Sequence, residues 1–420
     1  MPNPRIFAAL TKVSLLVPLL LSTVGTRAAA QSETVLHAFS NHGAEEINAG
    51  VIFDSAGNLY GTTLFGGGGS CSDPGPGCGT VFELSPQAGG GWTEKVIHIF
   101  ENNGKDGNHP WAGLVFDTAG NLYGATYAGG VYGYGAVFEL SPGTGGGWGE
   151  KILHNFNNTG VGGYAPFGIL ILDSAGNLYG TASAGGTYGG GTVFELTQKA
   201  TGSWPEIVLH AFGRTSDGKD PVSNLTFDSA GNLYGTTYAG GGDGGNAGIV
   251  FELIYQTGPG WSENILHRFH YTNDGYSPNA GVVFDTAGNL YGTTVYSGGG
   301  YGAVFELSPA AYGFWTETLV HNFGSTEGNY PWSGLLIDSN GNLYGTTTRG
   351  GAVGVGTLFE ISPTAHGWDP KLIYQFGQLA NLADGAYPYA TPILDSSGNL
   401  YGTTYVGGGH NGGSVFEFTP

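Results

Sequence analysis

The chain has 420 residues, of which 81 are glycine and only 10% are charged, and its formal net charge is −20. This acidic balance argues against nucleic acid and anionic membrane surfaces as partners. The glycines alternate with strand-length runs of Val, Leu, Phe and Tyr, which predicts short strands and tight turns rather than a low-complexity chain.

The first thirty residues have the features of a secretory signal peptide. Arg5 and Lys12 give a positively charged start, residues 13–24 are apolar, and three alanines before Gln31 offer a cleavage site. The apolar stretch is short for a bilayer span. We expect residues 1–30 to be removed, leaving a secreted or periplasmic protein without a membrane span; an uncleaved anchor is the alternative.

The chain contains two cysteines, Cys71 and Cys78, in one segment rich in glycine and proline. In an oxidising compartment we expect them to form a disulfide that staples one loop. A zinc site is less well supported, because two thiols without nearby histidines do not complete a zinc shell.

One motif, Asp-(Ser/Thr)-X-Gly-Asn-Leu-Tyr-Gly, dominates the rest of the chain. Its seven copies begin at Asp54, Asp117, Asp173, Asp228, Asp285, Asp338 and Asp395. Self-similarity at this spacing is typical of a repeat architecture. A residue present in every copy is expected to hold the repeat together, so function is sought where the copies differ.

Each repeat is predicted to contain four strands. In the second copy these are residues 113–117, 121–126, 136–140 and 151–156, all short, rich in β-branched and aromatic residues, and bounded by Gly, Pro, Asn or Ser. Four antiparallel strands per repeat, repeated seven times, predict an all-β, seven-bladed β-propeller over residues 31–420.

The motif itself is predicted to be a hairpin turn followed by a strand. Asp117 can accept hydrogen bonds from backbone amides further along the chain, and Gly120 suits a left-handed residue after a type I turn. A catalytic role for this aspartate is the alternative, but one active site is not needed seven times.

The hairpin between the third and fourth strands carries further repeated residues. Its tryptophans, which we interpret as packing residues, are Trp92, Trp148, Trp204, Trp261, Trp315 and Trp368. A glutamate precedes a repeated histidine by 15 residues in five copies, as Glu83 precedes His98, and Glu360 precedes Tyr374 by 14. This gap predicts a cross-strand hydrogen bond between the two side chains, with metal or acid/base chemistry as the alternative.

The two ends of the chain are predicted to close the ring. The mature N-terminus begins with a lone fourth strand, residues 34–39, whereas the last repeat ends with a third strand, residues 415–418. Pairing these two strands completes the last blade and removes the open edges that a solenoid would leave.

The repeat unit resembles a known family. Leu-His-X-Phe, Asp-Gly-X-X-Pro, Asp-Ser-Ala-Gly-Asn-Leu-Tyr-Gly-Thr-Thr and Gly-Thr-Val-Phe-Glu-Leu follow one another as in the GloVer tandem repeat of exported bacterial proteins. The resemblance covers the mature chain and implies export, but it carries no activity over to this chain. The Gly-Asn-Leu-Tyr hairpin is also similar, more weakly, to that of NHL-repeat propellers.

By analogy with such propellers, the loops that join each fourth strand to the next blade are expected to lie at the mouth of a central tunnel. Six of these loops contain a proline, and the residues directly before and after it differ from one copy to the next. The candidate ligand-binding residues are Trp111, Phe167, Trp332 and Tyr389 after the proline and His109, Tyr330 and Tyr387 before it. Aromatic side chains around a concavity can stack on sugar rings or apolar ligand faces. Packing over the inner strands is the alternative.

Other polar residues on this face give weaker indications. The loop aspartates Asp106, Asp217, Asp274 and Asp384 can bind calcium, although Asp-Gly is also ordinary turn chemistry, and we expect no cofactor. Four histidines outside the repeated position map to this face, namely His42, His109, His270 and His410. A metal or general-base role for them is the alternative, but the sequence does not bring them together, and we predict no metal site.

Three functions remain open from the sequence. The leading hypothesis is a non-enzymatic exported propeller that binds an extracellular glycan or peptide. The alternatives are a polysaccharide-acting hydrolase or lyase at the tunnel mouth and a structural component of a cell-surface assembly, because a fold alone does not assign a function.

Overall fold

The computed structural model describes residues 31–40, 44–68, 71, 77–242, 246–256, 260–271 and 274–420. These residues form seven antiparallel sheets of four main strands each, arranged as the blades of a β-propeller. The predicted all-β, seven-bladed architecture is confirmed. The predicted signal peptide, residues 1–30, lies outside the described residues.

Each blade contributes four strands, numbered from the tunnel outwards. The first strands are Ile52–Phe53, Val115–Phe116, Ile171–Leu172, Thr226–Phe227, Val283–Phe284, Leu336–Ile337 and Ile393–Leu394. The second strands are Leu59–Thr63, Leu122–Thr126, Leu178–Gly185, Leu233–Thr237, Leu290–Thr294, Leu343–Thr347 and Leu400–Thr404. The third strands are Thr80–Pro86, Ala136–Pro142, Thr192–Leu196, Ile249–Gln256, Ala303–Pro309, Thr357–Thr364 and Asn411–Thr419. The fourth strands are Trp92–Ile99, Trp148–Asn155, Glu206–Ala211, Gly260–Arg268, Trp315–Asn322, Gly367–Gln375 and Ser32–Ser40.

Short ladders and turns complete the secondary structure. We call the segment from a fourth strand to the next blade the connecting loop, and the segment between second and third strands the glycine-rich loop. Four ladders pair these two loops within a blade: Ala44–Glu45 with Phe65–Gly66, Gly107–Asn108 with Ala128–Gly129, Gly163–Pro166 with the end of Leu178–Gly185, and Gly218–Lys219 with Ala239–Gly240. Two 3-10 turns are Ala311–Gly313 and Ala380–Leu382, and no helix of the described chain is long and apolar enough to cross a membrane.

The hydrophobic core lies between neighbouring blades. Within a blade, the third-strand Phe138 covers Gly124 of the second strand, and a Cβ on this glycine would lie 2.5 Å from the phenyl ring. The same ring meets Phe100 of the preceding blade edge-on, with centroids 5.1 Å apart. Glycine in the motif therefore makes room for the aromatic residue that joins two blades.

The hairpin tryptophans serve this packing, as predicted. Trp148 of the second blade lies 6.0 Å from Tyr60 of the first, and Trp368 of the sixth lies 5.6 Å from Tyr291 of the fifth, measured between ring centroids. Each tryptophan thus covers the outer part of a blade interface.

The motif aspartate organises its turn as predicted. Asp117 Oδ1 accepts the backbone N–H groups of Ala119 and Asn121 at 2.8 and 2.9 Å. Asp117 Oδ2 accepts the Asn121 amide at 2.8 Å and the Tyr123 hydroxyl at 3.1 Å. Burial would raise the pKa of this carboxyl, but these hydrogen bonds outweigh it and lower the pKa. The motif asparagine and tyrosine are therefore explained as further donors to the same carboxylate.

The ring closes as the sequence predicted. Strand Ser32–Ser40 pairs antiparallel with Asn411–Thr419, so that Val35 lies opposite Phe416 and His37 opposite Val415. The last blade is thus built from both ends of the described chain. The predicted disulfide between Cys71 and Cys78 is also present.

The predicted Glu–His pair across the outer hairpin is wrong. Strand register places Val81 opposite His98, and an irregularity after this pair places Glu83 opposite Lys95. Glu83 instead accepts the Ser85 hydroxyl at 3.2 Å. The fixed gap in sequence reflects a fixed register, but it does not bring the two side chains together.

Removing one turn carboxylate tests its contribution. Asp117→Ala loses four hydrogen bonds to a charged acceptor and is expected to lower the free energy of unfolding by about 2 kcal/mol. Thermal and urea unfolding followed by circular dichroism measure the change. Asp369→Ala, at an exposed position of an outer strand, is the control and should match the wild type. Equal stability of both variants would contradict this role of Asp117.

Candidate functional site

The connecting loops of all seven blades, with the first strands of blades one, six and seven, line a central cavity of about 500 Å³. This volume is in the range of small-ligand sites. The cavity lies where the sequence placed the tunnel mouth. Its wall therefore includes the connecting-loop residues that differ among the repeats.

One backbone conformation fixes every connecting loop. The residue before the loop proline, or before Ile47 in the first blade, is left-handed, with φ between 54° and 58°. These residues are Glu46, His109, Ala165, Asp220, Ser277, Tyr330 and Tyr387. Non-glycine residues adopt this conformation rarely, so its occurrence in all seven connecting loops is a specific feature of the fold.

The left-handed residue is held from both sides by its backbone. His109 N–H donates to the carbonyl of Cys78 in the preceding blade at 2.8 Å, and its own carbonyl accepts Tyr127 N–H at 3.0 Å. At the closing joint, Glu46 N–H donates to Gly412 of the last blade at 3.0 Å. This double attachment sets the direction of the next side chains, which face the tunnel.

Seven side chains, one per blade, form the rim of the cavity. In blade order they are Asn48, Trp111, Phe167, Val222, Asn279, Trp332 and Tyr389. All are half-buried. Four of the predicted site residues, Trp111, Phe167, Trp332 and Tyr389, are thus brought together around one opening.

The aromatic residues form two groups across the tunnel. In the second and third blades, Trp111 lies 5.1 Å from Phe167 and 6.3 Å from Tyr127 between ring centroids. We call this the first aromatic wall. Because the blades are arranged in a ring, the residues of blades six and seven stand on the opposite side.

The second aromatic wall is larger. Trp332 lies 6.1 Å from Tyr389 and 6.4 Å from Tyr238, whose ring is nearly parallel to the indole. Tyr389 meets Tyr405 edge-on at 5.4 Å. Along the rim, Asn48 of the first blade separates Tyr389 from Trp111 on one side, and Val222 of the fourth blade and Asn279 of the fifth separate Phe167 from Trp332 on the other. Tyr238, which lies beside Trp332, belongs to the fourth blade. The rim therefore carries one amide on each side between its aromatic residues.

Tyr127, Tyr238 and Tyr405 were not predicted from the sequence. Each occupies the tenth position after its motif aspartate, where other copies have Leu64, Ser183, Val295 or Thr348. The variation among copies at this position was the sequence feature that could have identified the three tyrosines. The proline marks the connecting loop, whereas these three tyrosines lie at the start of the glycine-rich loop.

The cavity wall carries no acidic, basic or histidine side chain among the described residues. Asn224 Oδ1 accepts the Ile169 N–H at 2.7 Å, and Asn279 Nδ2 donates to the Trp332 carbonyl at 3.4 Å. The Asn48 amide nitrogen is buried and has no hydrogen-bond partner among the described residues. The wall can stack on a ligand and exchange hydrogen bonds with it, and the ionisable side chains of its described part are the phenols of Tyr389 and Tyr405.

Tyrosine hydroxyls at the rim stay protonated. Burial raises the pKa of Tyr389 and of Tyr238. Burial and a hydrogen bond to Glu46 raise the pKa of Tyr405. Glu46 therefore lies behind the rim, bonded to a neutral phenol, rather than on the cavity wall.

The other three predicted site residues lie outside the cavity wall. His109 packs edge-on against Phe65, with ring centroids 5.4 Å apart, and burial lowers its pKa. Tyr330 and Tyr387 occupy the same left-handed position in blades six and seven. Their rings pack against Tyr296 at 5.5 Å and under the Arg349 guanidinium at 4.5 Å. One proline separates each of these residues from the rim residue that follows it.

The repeated histidines form a separate set of polar clusters between blades. His98 Nε2 lies 3.4 Å from Asp106 of the connecting loop and 3.3 Å from Glu150 of the next blade. Burial opposes protonation of His98, but these two carboxylates outweigh it and raise its pKa to about 9. His210 lies likewise 3.2 Å from Asp217 and 3.8 Å from Glu263.

These clusters show what most of the loop aspartates do. Asp106 also accepts the Glu101 N–H at 2.9 Å, and Asp274 accepts His270 N–H at 3.1 Å while facing His267. The aspartates thus shape their loops and face an imidazole of the preceding blade. We interpret the clusters as joints between blades, since they recur around the ring. His42 lies outside the described residues.

The joint between the sixth and seventh blades departs from this pattern. Tyr374 replaces histidine, and its hydroxyl donates to Asp384 at 2.9 Å and to Glu33 at 3.4 Å. Without an imidazolium, burial and the charge of Asp384 raise the pKa of Glu33 to about 7. Among the described residues, this joint therefore holds two carboxyl groups, those of Glu33 and Asp384, without a cation beside them.

Replacing this tyrosine tests the charge balance of the joint. The folded pKa of Glu33 lies above its usual value of 4.5, so its contribution to stability is present below pH 4.5 and is lost as pH rises to about 7. Tyr374→His supplies a cation and is expected to reduce this loss by about 1 kcal/mol, allowing for partial exposure. Unfolding midpoints measured from pH 5 to pH 8 give the comparison.

Tyr374→Phe is the matched control for this substitution. It removes the hydroxyl without adding a cation, so it should retain a pH-dependent loss at least as steep as that of the wild type. A Tyr374→His protein whose stability falls as steeply as that of Tyr374→Phe would refute the assigned charge imbalance.

The match to a known protein family agrees with the repeat architecture. The family profile of the Gloeobacter/Verrucomicrobia repeat matches residues 25–251 and 242–420. A search of curated proteins finds no match. Among solved structures, a luciferin-regenerating enzyme is similar at 14% sequence identity and a TM-score of 0.44, over 73% of this chain and 90% of that chain. Since the profile matches span all seven blades, the chain belongs to the Gloeobacter/Verrucomicrobia repeat family.

Proposed function

We propose that this protein is an exported binding scaffold that holds an uncharged extracellular ligand, a glycan or a peptide, at the tunnel mouth. One observation carries the proposal: two aromatic walls and intervening amides surround a cavity whose described lining has no charged side chain. Concave, largely apolar sites with a few placed polar groups are typical of ligand binding. The N-terminal signal pattern supports export.

The rigidity of the rim supports a binding role. The rim side chains follow a loop whose backbone is attached both to its own blade and to the preceding one, as Tyr387 N–H donates to Val355 at 2.7 Å. Aromatic residues placed on such a support lose little conformational freedom when a ligand arrives. Contacts between a ligand and half-buried Trp111 and Trp332 can therefore contribute to the binding free energy.

A hydrolase or lyase is less well supported by the geometry. Glycoside hydrolysis commonly uses two carboxyl groups that flank the scissile bond. The described cavity wall supplies none, and Glu46 behind it is bonded to Tyr405. The carboxylates of the joints face histidines or tyrosine between blades.

A structural role in a surface assembly has one observation in its favour. The glycine-rich loops of blades two and three expose apolar side chains on the face that carries the tunnel mouth, including Val131, Tyr132 and Tyr188. Loops rich in tyrosine and glycine are also typical of protein-binding surfaces. Copurification of surface proteins with a tunnel-mouth variant would distinguish this alternative from ligand binding in the cavity.

Tryptophan substitutions test the proposed site. In a screen of neutral oligosaccharides and end-blocked peptides, Trp111→Ala and Trp332→Ala are each expected to weaken binding of the best ligand about tenfold, which corresponds to about 1.4 kcal/mol. Isothermal titration calorimetry measures the affinity, and circular dichroism checks the fold. Tyr312→Ala is the control because this side chain is 97% exposed on an outer hairpin. Unchanged affinity in both tryptophan variants would exclude the tunnel mouth as the site.

A further inference from the structure

We infer that the tunnel mouth recognises the uncharged end of a glycan chain, which enters along the propeller axis. This inference rests on the proposed function and narrows it to one ligand class and one direction of approach. It follows from the closure of the ring, the absence of charge on the described wall, and the arrangement of the aromatic walls and amides.

Ring closure determines how a ligand reaches the cavity. The seven blades surround the cavity on all sides, and the pairing of Ser32–Ser40 with Asn411–Thr419 closes the last gap. The described wall is continuous between blades, because each blade interface is bridged by a backbone hydrogen bond, such as that from Ser277 N–H to the Ala247 carbonyl at 2.7 Å. A stiff polymer that fills the cavity therefore enters along the axis, with its end first.

The charge of the wall favours a glycan end over a peptide end. A peptide terminus is an ammonium or a carboxylate, and burying either without a partner is strongly unfavourable. The described wall supplies no opposite charge. A neutral sugar end carries hydroxyl groups only, which amides and phenols can satisfy. The formal net charge of −20 also disfavours acidic glycans.

The rim arrangement fits a sugar ring. A pyranose has apolar C–H faces and hydroxyls around its edge, so its faces match the walls that contain Trp111 and Trp332. The edge then points toward Asn48 and Asn279, which lie between the walls. The amides of these two residues can exchange hydrogen bonds with the hydroxyl groups at the edge of a sugar ring.

The experiment compares chains of the same sugar and linkage that differ in length. Maltohexaose, cellohexaose, laminarihexaose and chitohexaose are the first probes, and longer chains of any series that binds follow. End recognition predicts a Kd per mole of chain that does not change beyond the length that fills the cavity. Recognition of internal segments predicts a Kd per chain that falls in proportion to length.

An asparagine substitution identifies the site that gives this behaviour. Asn48→Ala is expected to weaken glycan binding about fivefold to tenfold through loss of one hydrogen bond. Asn102→Ala, in an exposed loop segment outside the cavity wall, is the control and should bind like the wild type. Thermal unfolding of both variants verifies that the fold is intact.

The outcomes separate this inference from the proposed function. Binding whose affinity per chain rises with length, or equal binding of maltohexaose and the endless ring α-cyclodextrin, would overturn end recognition while leaving a glycan-binding scaffold. Tryptophan-dependent binding of end-blocked peptides only would overturn the glycan assignment but keep the proposed function. If no neutral glycan or peptide binds, both proposals fail.

Discussion

The structure depends on one backbone connection that is repeated at each blade interface. A left-handed residue in each connecting loop donates its N–H to the preceding blade, and its carbonyl accepts a hydrogen bond from its own blade, so the backbone, not the side chain, bridges the blades. Because the side chain takes no part in these hydrogen bonds, different residue types can occupy the position, such as Glu46, Ala165 and Tyr387. It also fixes the following residues, which line the tunnel. The fold and the candidate site therefore share one constraint.

Charged side chains lie at the joints between blades rather than on the described tunnel wall. Carboxylates of the loops and fourth strands face the repeated histidines between blades, as Asp106 and Glu150 face His98. Partly buried carboxylates in such a position require a cation or hydrogen bonds, because burial opposes their ionised form. The tunnel, by contrast, has aromatic rings and amides on its described wall. An acidic protein thus presents an uncharged opening.

Local chemistry made much of the fold predictable from the sequence. The turn at Asp117 and Gly120 follows from backbone conformation and hydrogen bonding within five residues, and closure follows from one unpaired strand at each end. The rim residues after the proline were also predictable, since the proline marks the same point in six loops. The Glu83–His98 pair was not, because its geometry depends on strand register and a local irregularity that the residue spacing does not reveal.

The second set of aromatic residues shows a different limit of the sequence. Tyr127 and Tyr405 follow a strand that is nearly identical in all copies, so their variability was visible, but their approach to Trp111 and Tyr389 depends on the folding of two loops toward each other. Only pairing of the connecting loop with the glycine-rich loop establishes that proximity. Contacts that depend on tertiary structure need coordinates even in a strongly periodic sequence.

Departures from the joint pattern show how far one interface can vary. Where Gly162 replaces the loop aspartate, Glu206 accepts the Gly163 N–H at 2.8 Å, and burial raises the pKa of Glu206 and lowers that of His154. Both groups thereby shift toward their neutral forms. Where Tyr374 replaces histidine, Glu33 shifts in the same direction. Each joint thus loses charge when it loses a partner, because an uncompensated charge between two packed sheets is less stable than a neutral group. The ring therefore tolerates variation at single joints without opening, and this tolerance leaves the connecting loops free to diverge around the tunnel.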